Sequence, residues 1–284
     1  MRILHIGDIV GKPGRRIVVK AVRALVERER LDLVVANAEN AAGGSGLTPE
    51  IYRELIDAGV DGITLGDHIY RRREICSVLE SEANIVKPAN YPTESPGREF
   101  MVLPARGGAQ VAVISLMGRV FMRPVDCPFA AADRVLAALA EAVDVSTLAA
   151  IVVDFHAEAT SDKQLMGRYL DGRVSAVLGT HTHVATADAQ IFPGGTAFQC
   201  DLGMTGPHES IIGRRIEPVL EVTRTFFPEH FDVATGDNQL NGAIVEVDEA
   251  TREATHVQSL RLGEAAVDEM LHGPREESAT ASDR

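Results

Sequence analysis

The chain has 284 residues, 45% of them hydrophobic and 24% charged, which are ordinary proportions for a folded protein with a sizeable core and exclude disorder as the whole answer. Asp and Glu number 41 against 28 Lys and Arg, a net charge of −13. Such a surface repels a long polyanion, so duplex nucleic acid and anionic membranes are disfavoured partners, while a small anion held by a few bound cations is not.

Apolar, β-branched runs at 2–7, 31–38, 62–66, 111–116, 150–155 and 176–180 predict strands. Between them, amphipathic stretches predict helices near 14–30, 48–58, 69–81, 130–142 and 161–170. Pro13 suits the opening of the first helix, and Thr48-Pro49-Glu50 gives the second an N-cap and a proline at N1. This alternation argues for an α/β fold whose strands are buried on both faces. From about residue 186 the pattern turns to strand-like pieces punctuated by Gly and Pro, which predicts a second, more antiparallel sheet. Residues 263–284 carry six acids, two Arg and no periodicity, so they read as a loose acidic tail behind a single domain at 1–262.

Cys76, Cys127 and Cys200 are odd in number and widely spaced, which makes no disulfide framework and predicts a reducing, cytoplasmic setting. No apolar run approaches the roughly 18 residues of a membrane span. The opening MRILHIG is too short for a signal-peptide core and is interrupted by Asp8.

Five predicted strands end in residues able to bind a metal. They are Asp8, then Glu39 and Asn40, then Asp67 and His68, then His156, then His181 and His183 in GTHTH. The carboxyl ends of strands in α/β sheets lie along one edge, where sites are built from separate loops. A lone Asp after a strand is usually a cap and a lone His usually a hydrogen-bonded core residue. Five coincident strand ends are not explained by capping. Carboxylates and imidazoles without thiolate suit Mn, Fe or Zn. There are more donors than one four-coordinate ion needs, so two ions sharing a carboxylate is the economical reading, an arrangement suited to in-line phosphoryl displacement. GDIVGKP is one residue short of a phosphate-binding P-loop and has Pro13 in the Ser/Thr position. A barrel amidohydrolase would need its HxH pair near the first strand, whereas His181 and His183 come late.

The strings MRILHIGDIVGKPGR, NAENAAGGSGLT, GDH, KPANYP, DFHAEATSDK, GTHTHVATAD and DLGMTGP resemble the YmdB-like family of metallophosphoesterases, within the calcineurin-like superfamily, from residue 1 to about 262. The resemblance implies a four-layer α/β/β/α sandwich of two mixed sheets and two divalent or trivalent metal ions, Fe or Mn ahead of Zn or Mg. It implies hydrolysis of small phosphodiesters, notably 2′,3′-cyclic nucleotides, and a homo-oligomer, dimer or tetramer. Carried over by position, Asp8, Glu39, Asn40 and His183 would hold one ion. Glu39 would bridge to a second ion completed by Asp67, His156 and His181. A water activated between the ions would attack phosphorus, and His68 would be the proton donor. The family pattern has Asn where this chain has Asp67, which adds a negative charge to the site. Two other outcomes stay open: a phosphomonoesterase, and a regulatory or scaffold protein with a retained metal site. Arg71–Arg73 and the Gly43–Gly46 loop are weaker candidates for substrate contact, as are Asn90 and Thr205. His5 and His208 read as structural or surface residues.

Overall fold

A computed structural model describes residues 1–272. Its strands in chain order are β1 (Arg2–Ile6), β2 (Leu33–Asn37), β3 (Gly62–Thr64), β4 (Phe100–Pro104), β5 (Gln110–Met117), β6 (Leu148–His156), β7 (Ala176–Thr180), β8 (Gln190–Ile191), β9 (Ala197–Gln199), β10 (Gly206–Glu209), β11 (Gly236–Val247) and β12 (Ala254–Gly263). The helices are α1 (Gly11–Glu29), α2 (Pro49–Asp57), α3 (Cys76–Ser81), α4 (Pro128–Ala142), α5 (Thr160–Tyr169), α6 (Ile216–Thr225) and α7 (Glu264–His272).

Two mixed six-stranded sheets result. One runs β10-β11-β1-β2-β3 with β12 also on β11, and the other runs β4-β5-β6-β7-β9-β8. Strand alternation explains the layers. Ile3, Leu33 and Val35 of the first sheet pack against Val111, Val113, Val152 and Leu178 of the second. Their neighbours Leu4, Ile6, Val34 and Ala36 face the other way, onto Ile17, Val18 and Leu25 of α1. On the far side Ala112, Ile114 and Val153 meet Val135 and Leu139 of α4 and Met166 of α5. Each fully buried aliphatic side chain contributes roughly 1.5–3 kcal/mol of transfer free energy, so these packed layers make a stiff frame for the loops at their edges. The expected four-layer sandwich is the observed one.

Three expectations need correction. The C-terminal strands do not form a sheet of their own. β11 pairs antiparallel with β1, Arg2 to Glu246 through Ile6 to Gly242, and so completes the first sheet, while β9 joins the second in parallel to β7. The helix expected over 69–81 is delayed: α3 begins at Cys76, after a 3-10 turn at Arg73–Ile75. Residues ahead of it are committed to the site, because His68 N donates to Glu39 Oε2 at 3.0 Å. The tail expected from 263 begins with a helix instead, α7, whose Val267 is buried and whose Asp268 pairs with Lys20 of α1. The rest of that tail lies outside the described residues. β4 and α6 were not foreseen. The three cysteines are free, as expected. Among the described residues no helix is long and apolar enough to cross a membrane.

Candidate metal centre

β1, β2 and β3 run parallel in one sheet and β5, β6 and β7 in the other, and the two sets of carboxyl ends are tied together by one buried acid. Asp154 of β6 accepts from Asn37 Nδ2 of β2 at 3.0 Å, from Thr64 Oγ1 of β3 at 2.5 Å and from Thr180 Oγ1 of β7 at 2.6 Å. The residues that follow these strands therefore meet at one place.

All eight residues singled out in the sequence fall in this cluster. One ligand atom each of Glu39, Asp67, His156 and His181 lies within 4.8 Å of the others. Asp67 Oδ1 is 3.2 Å from His156 Nε2 and 3.5 Å from His181 Nδ1, and Glu39 Oε2 is 3.4 Å from His156 Nε2. Asn40 and His183 adjoin this group through Glu39, and Asp8 adjoins it through His181 and His156. Asn40 Nδ2 donates to Glu39 Oε1 at 2.8 Å and lies 3.2 Å from His183 Nε2, and Asp8 Oδ2 accepts from His181 N at 3.0 Å. His68 Nδ1 sits 3.0 Å from Glu39 Oε1 and 2.9 Å from Asn40 Oδ1. Asp8, Glu39 and His156 are buried, whereas the side chains of Asp67, His68 and His181 are 25%, 27% and 21% exposed, so one side of the cluster faces solvent.

The electrostatics are those of a cation site. Burial pushes Asp8 up from the ordinary carboxylate range. Burial works the same way on Glu39 and Asp67, but the charge and hydrogen bonds of neighbouring imidazoles, His156 foremost, outweigh it and hold both well below that range. Burial opposes charge on His156 and His68 too, and the adjacent carboxylates outweigh it, raising both. Asp8 Oδ1 is buried and has no hydrogen-bond partner. An orphaned carboxylate oxygen beside convergent carboxylates and imidazoles is a donor set that fits a cation.

A supporting layer holds these groups in place, as metal sites require. His156 Nδ1 bonds Thr180 Oγ1 at 2.9 Å, and Thr180 in turn donates to Asp154. His5, read as structural or surface, is buried 3.6 Å from Asp154. His181 and His183 have φ of 98° and 67°, a left-handed conformation costing about 1–3 kcal/mol each for non-glycine residues. The residue between them is what holds it. Thr182 N and Oγ1 donate to Asp201 Oδ2 at 3.0 and 2.7 Å, and that carboxylate is paired with buried Lys163 at 2.6 Å. Sequence reading missed Asp154, Thr180, Lys163 and Asp201. Asp154 had a readable signal, an acid in an apolar strand two residues before His156 and hence on the same face. Lys163 had none.

The weaker candidates divide. Arg71–Arg73 are exposed. The Gly43–Gly46 loop has φ of 64°, 84° and 87° at its three glycines and is pinned by Arg214, which donates to the carbonyls of Gly43 and Gly44 at 3.2 and 2.6 Å. Asn90 and Thr205 spend their side chains on backbone groups, Asn90 on Met117 and Asp126, and Thr205 on Asn241. Both are structural. Gly66 needs its missing Cβ, since a methyl there would collide with the His156 ring and Glu39 Oε2.

Fold and cluster together define a two-sheet α/β sandwich protein with a candidate metal centre at its strand ends. The chain belongs to the family described as YmdB-like protein, whose model matches residues 4–260. It is 43% identical over 264 residues to a Bacillus subtilis (strain 168) protein named 2′,3′-cyclic-nucleotide 2′-phosphodiesterase, covering 93% of this chain and 98% of that one. Two solved structures share the fold at similar length. One is a hypothetical protein from Thermus thermophilus, with TM-score 0.83, 42% identity, and 93% and 99% of the two chains covered. The other is described as a novel phosphatase from Mycoplasma pneumoniae, with TM-score 0.84, 32% identity and 93% of each chain covered.

Proposed function

We propose that the protein is a metal-dependent phosphodiesterase that hydrolyses small phosphodiesters, 2′,3′-cyclic nucleotides first among them. One observation carries the reading: His68 stands at the solvent-facing side of a carboxylate–imidazole cluster that includes an orphaned buried oxygen. The likeness to the Bacillus subtilis enzyme supports the substrate class.

Asp8, Glu39, Asn40 and His183 would hold one ion and Asp67, His156 and His181 a second, with Glu39 shared. Their oxygen and nitrogen donors suit Fe or Mn ahead of Zn or Mg. Bound ions would lower the pKa of water and offset charge on the phosphate. The chain's own part is to orient and to move a proton. Glu39 and Asn40 fix the His68 ring through Nδ1 and leave Nε2, 3.7 Å from Asp67 Oδ2, as the atom able to protonate the departing sugar oxygen. Opening of the cyclic diester then yields a monoester and a free hydroxyl. Thr180 and Asp154 keep His156 aimed, and Asp201 keeps the His181–His183 turn in place.

The test is hydrolysis of 2′,3′-cyclic AMP by chelator-stripped protein reloaded with Mn²⁺, Fe²⁺ or Zn²⁺, with a phosphomonoester alongside. We expect metal-dependent ring opening that falls about 10²–10⁴-fold in His68→Ala at unchanged metal content, the size of a general-acid contribution. The unaltered protein should keep activity to pH values above the ordinary histidine pKa of about 6.5, because the Glu39 hydrogen bond raises His68 against the effect of burial. Full activity in His68→Ala removes the acid role. The phosphatase description of the Mycoplasma relative favours a second reading, and cleavage of the monoester alone would select it. A homo-oligomer belongs to the same proposal, supported by α6, which buries no residue, and by the exposed Phe226 and Phe227 that follow it. The free cysteines support a cytoplasmic setting.

A further inference from the structure

A cavity of about 270 Å³ adjoins the cluster and shares a wall with it, the His183 ring. That ring is held between Asn40, 3.2 Å from Nε2, and the carbonyl of Ile212, which accepts from Nδ1 at 2.9 Å. Val184, Met204 and Ile212 give the cavity apolar walls. Val184 and Ile212 remain 61% and 55% exposed, so this apolar surface is uncovered. Ile212 is also strained, a β-branched residue at φ 44° followed by Gly213 at φ 98°.

The polar side of the cavity is made by His183, His208, Ser210, Asn241 and Arg261. Asn241, 1% exposed, donates through Nδ2 to Met204 O at 2.8 Å, and the same Nδ2 lies 2.9 Å from His208 Nε2. Its Oδ1 has no partner and is buried, so it does not open onto the cavity. Nε2 also lies 3.2 Å from the Met204 carbonyl, which can only accept, so these contacts are met by a neutral ring with its hydrogen on either nitrogen. Burial lowers the His208 pKa and favours this neutral form.

We propose that this cavity receives the heterocyclic base of the substrate's nucleoside, which rests on the phosphodiesterase reading above. Apolar walls beside an imidazole, a hydroxyl and a guanidinium, those of His208, Ser210 and Arg261, match a flat ring that has polar edges. The volume lies below the roughly 300–1,000 Å³ of pockets for drug-sized ligands, suiting a single base rather than a strand. The shared His183 wall places such a base beside the phosphate position.

The test compares Ile212→Gly with the unaltered protein. Glycine keeps the carbonyl that holds His183, tolerates the positive φ and deletes only the wall. Metal-reloaded proteins of matched metal content are assayed on 2′,3′-cyclic AMP and on the base-free cyclic diester glycerol 1,2-cyclic phosphate. Calorimetry on the same proteins measures binding of adenosine 3′-monophosphate and of inorganic phosphate. We expect kcat/KM for the nucleotide to fall about tenfold more than for the base-free diester, mostly in KM, and adenosine 3′-monophosphate to weaken about tenfold more than phosphate. Val184→Ser, at another residue of the apolar lining, should shift both ratios the same way and replaces Ile212→Gly should that variant lose metal. Equal losses on both diesters and both ligands, or no loss on either, overturn the proposal. Were the unaltered protein to cleave neither diester, the phosphodiesterase reading would fail, and the binding ratios would still decide for or against the cavity.

Discussion

Replacing Asp67 by Asn removes one negative charge and almost no volume, which makes it the sharpest probe of the candidate centre. The carboxylate lies 3.2, 3.5 and 3.7 Å from nitrogens of His156, His181 and His68, and shares a 4.8 Å cluster with Glu39. At about 4 Å a unit charge is worth roughly 1 kcal/mol in water and roughly 4 kcal/mol at the effective dielectric near a protein surface. The side chain is a quarter exposed, so the loss for a bound cation falls between these limits, about fivefold to 10³-fold in affinity. Competition against a chelator, with metal per chain measured by atomic emission, reads this directly. We expect Asp67→Asn to release metal at least about fivefold more readily and, at saturating metal, to turn over faster, because an amide leaves the ions more electrophilic. Retention of metal equal to or tighter than that of the unaltered protein would refute the reasoning.

Gly66→Ala should abolish metal retention and activity while leaving the chain folded, with about 1–3 kcal/mol of overpacking cost, since the new methyl displaces His156 and Glu39; circular dichroism and metal content separate the two effects, and a metal-replete variant would contradict it. Asp201→Asn leaves Lys163 buried without its charge partner, so we expect a loss of about 3–5 kcal/mol in urea unfolding together with weaker metal binding. An unfolding midpoint unchanged by that substitution would show the pair to be dispensable. Metal-stripped protein should be more stable at pH 6 than at pH 9. His68 and His156 have raised folded pKa values, so their contribution is complete below about 6.5 and is lost as pH rises through those values. Glu39 and Asp67 are depressed, so theirs is lost only as pH falls below about 4. A urea midpoint that is flat or rising from pH 6 to 9 would count against this.

What could be read from the chain alone was whatever depends on local periodicity and on strand direction. The six apolar runs matched to strands and the helices at 14–30, 48–58, 130–142 and 161–170 are local patterns, and the frame they build leaves little freedom to the residues at its carboxyl edge. Asp8, Glu39, Asn40, Asp67, His68, His156, His181 and His183 were legible for that reason: each stands at or within a few residues of the end of a strand. The remainder required distances that no local pattern encodes. β11 joins β1 across more than 230 residues of chain, and nothing in GAIVEVDE says that its partner is the first strand rather than a neighbour. The 69–81 segment is helical by composition, yet its first residues turn around Glu39, because a hydrogen bond to a buried carboxylate outweighs propensity. Lys163 and Asp201 carry no local signal, and only folding buries them together beside Thr182. The identity of the candidate donors was thus written in the sequence, because strand ends converge by topology; their aim, spacing and charge states came only from tertiary packing, which decides what each of them is buried against.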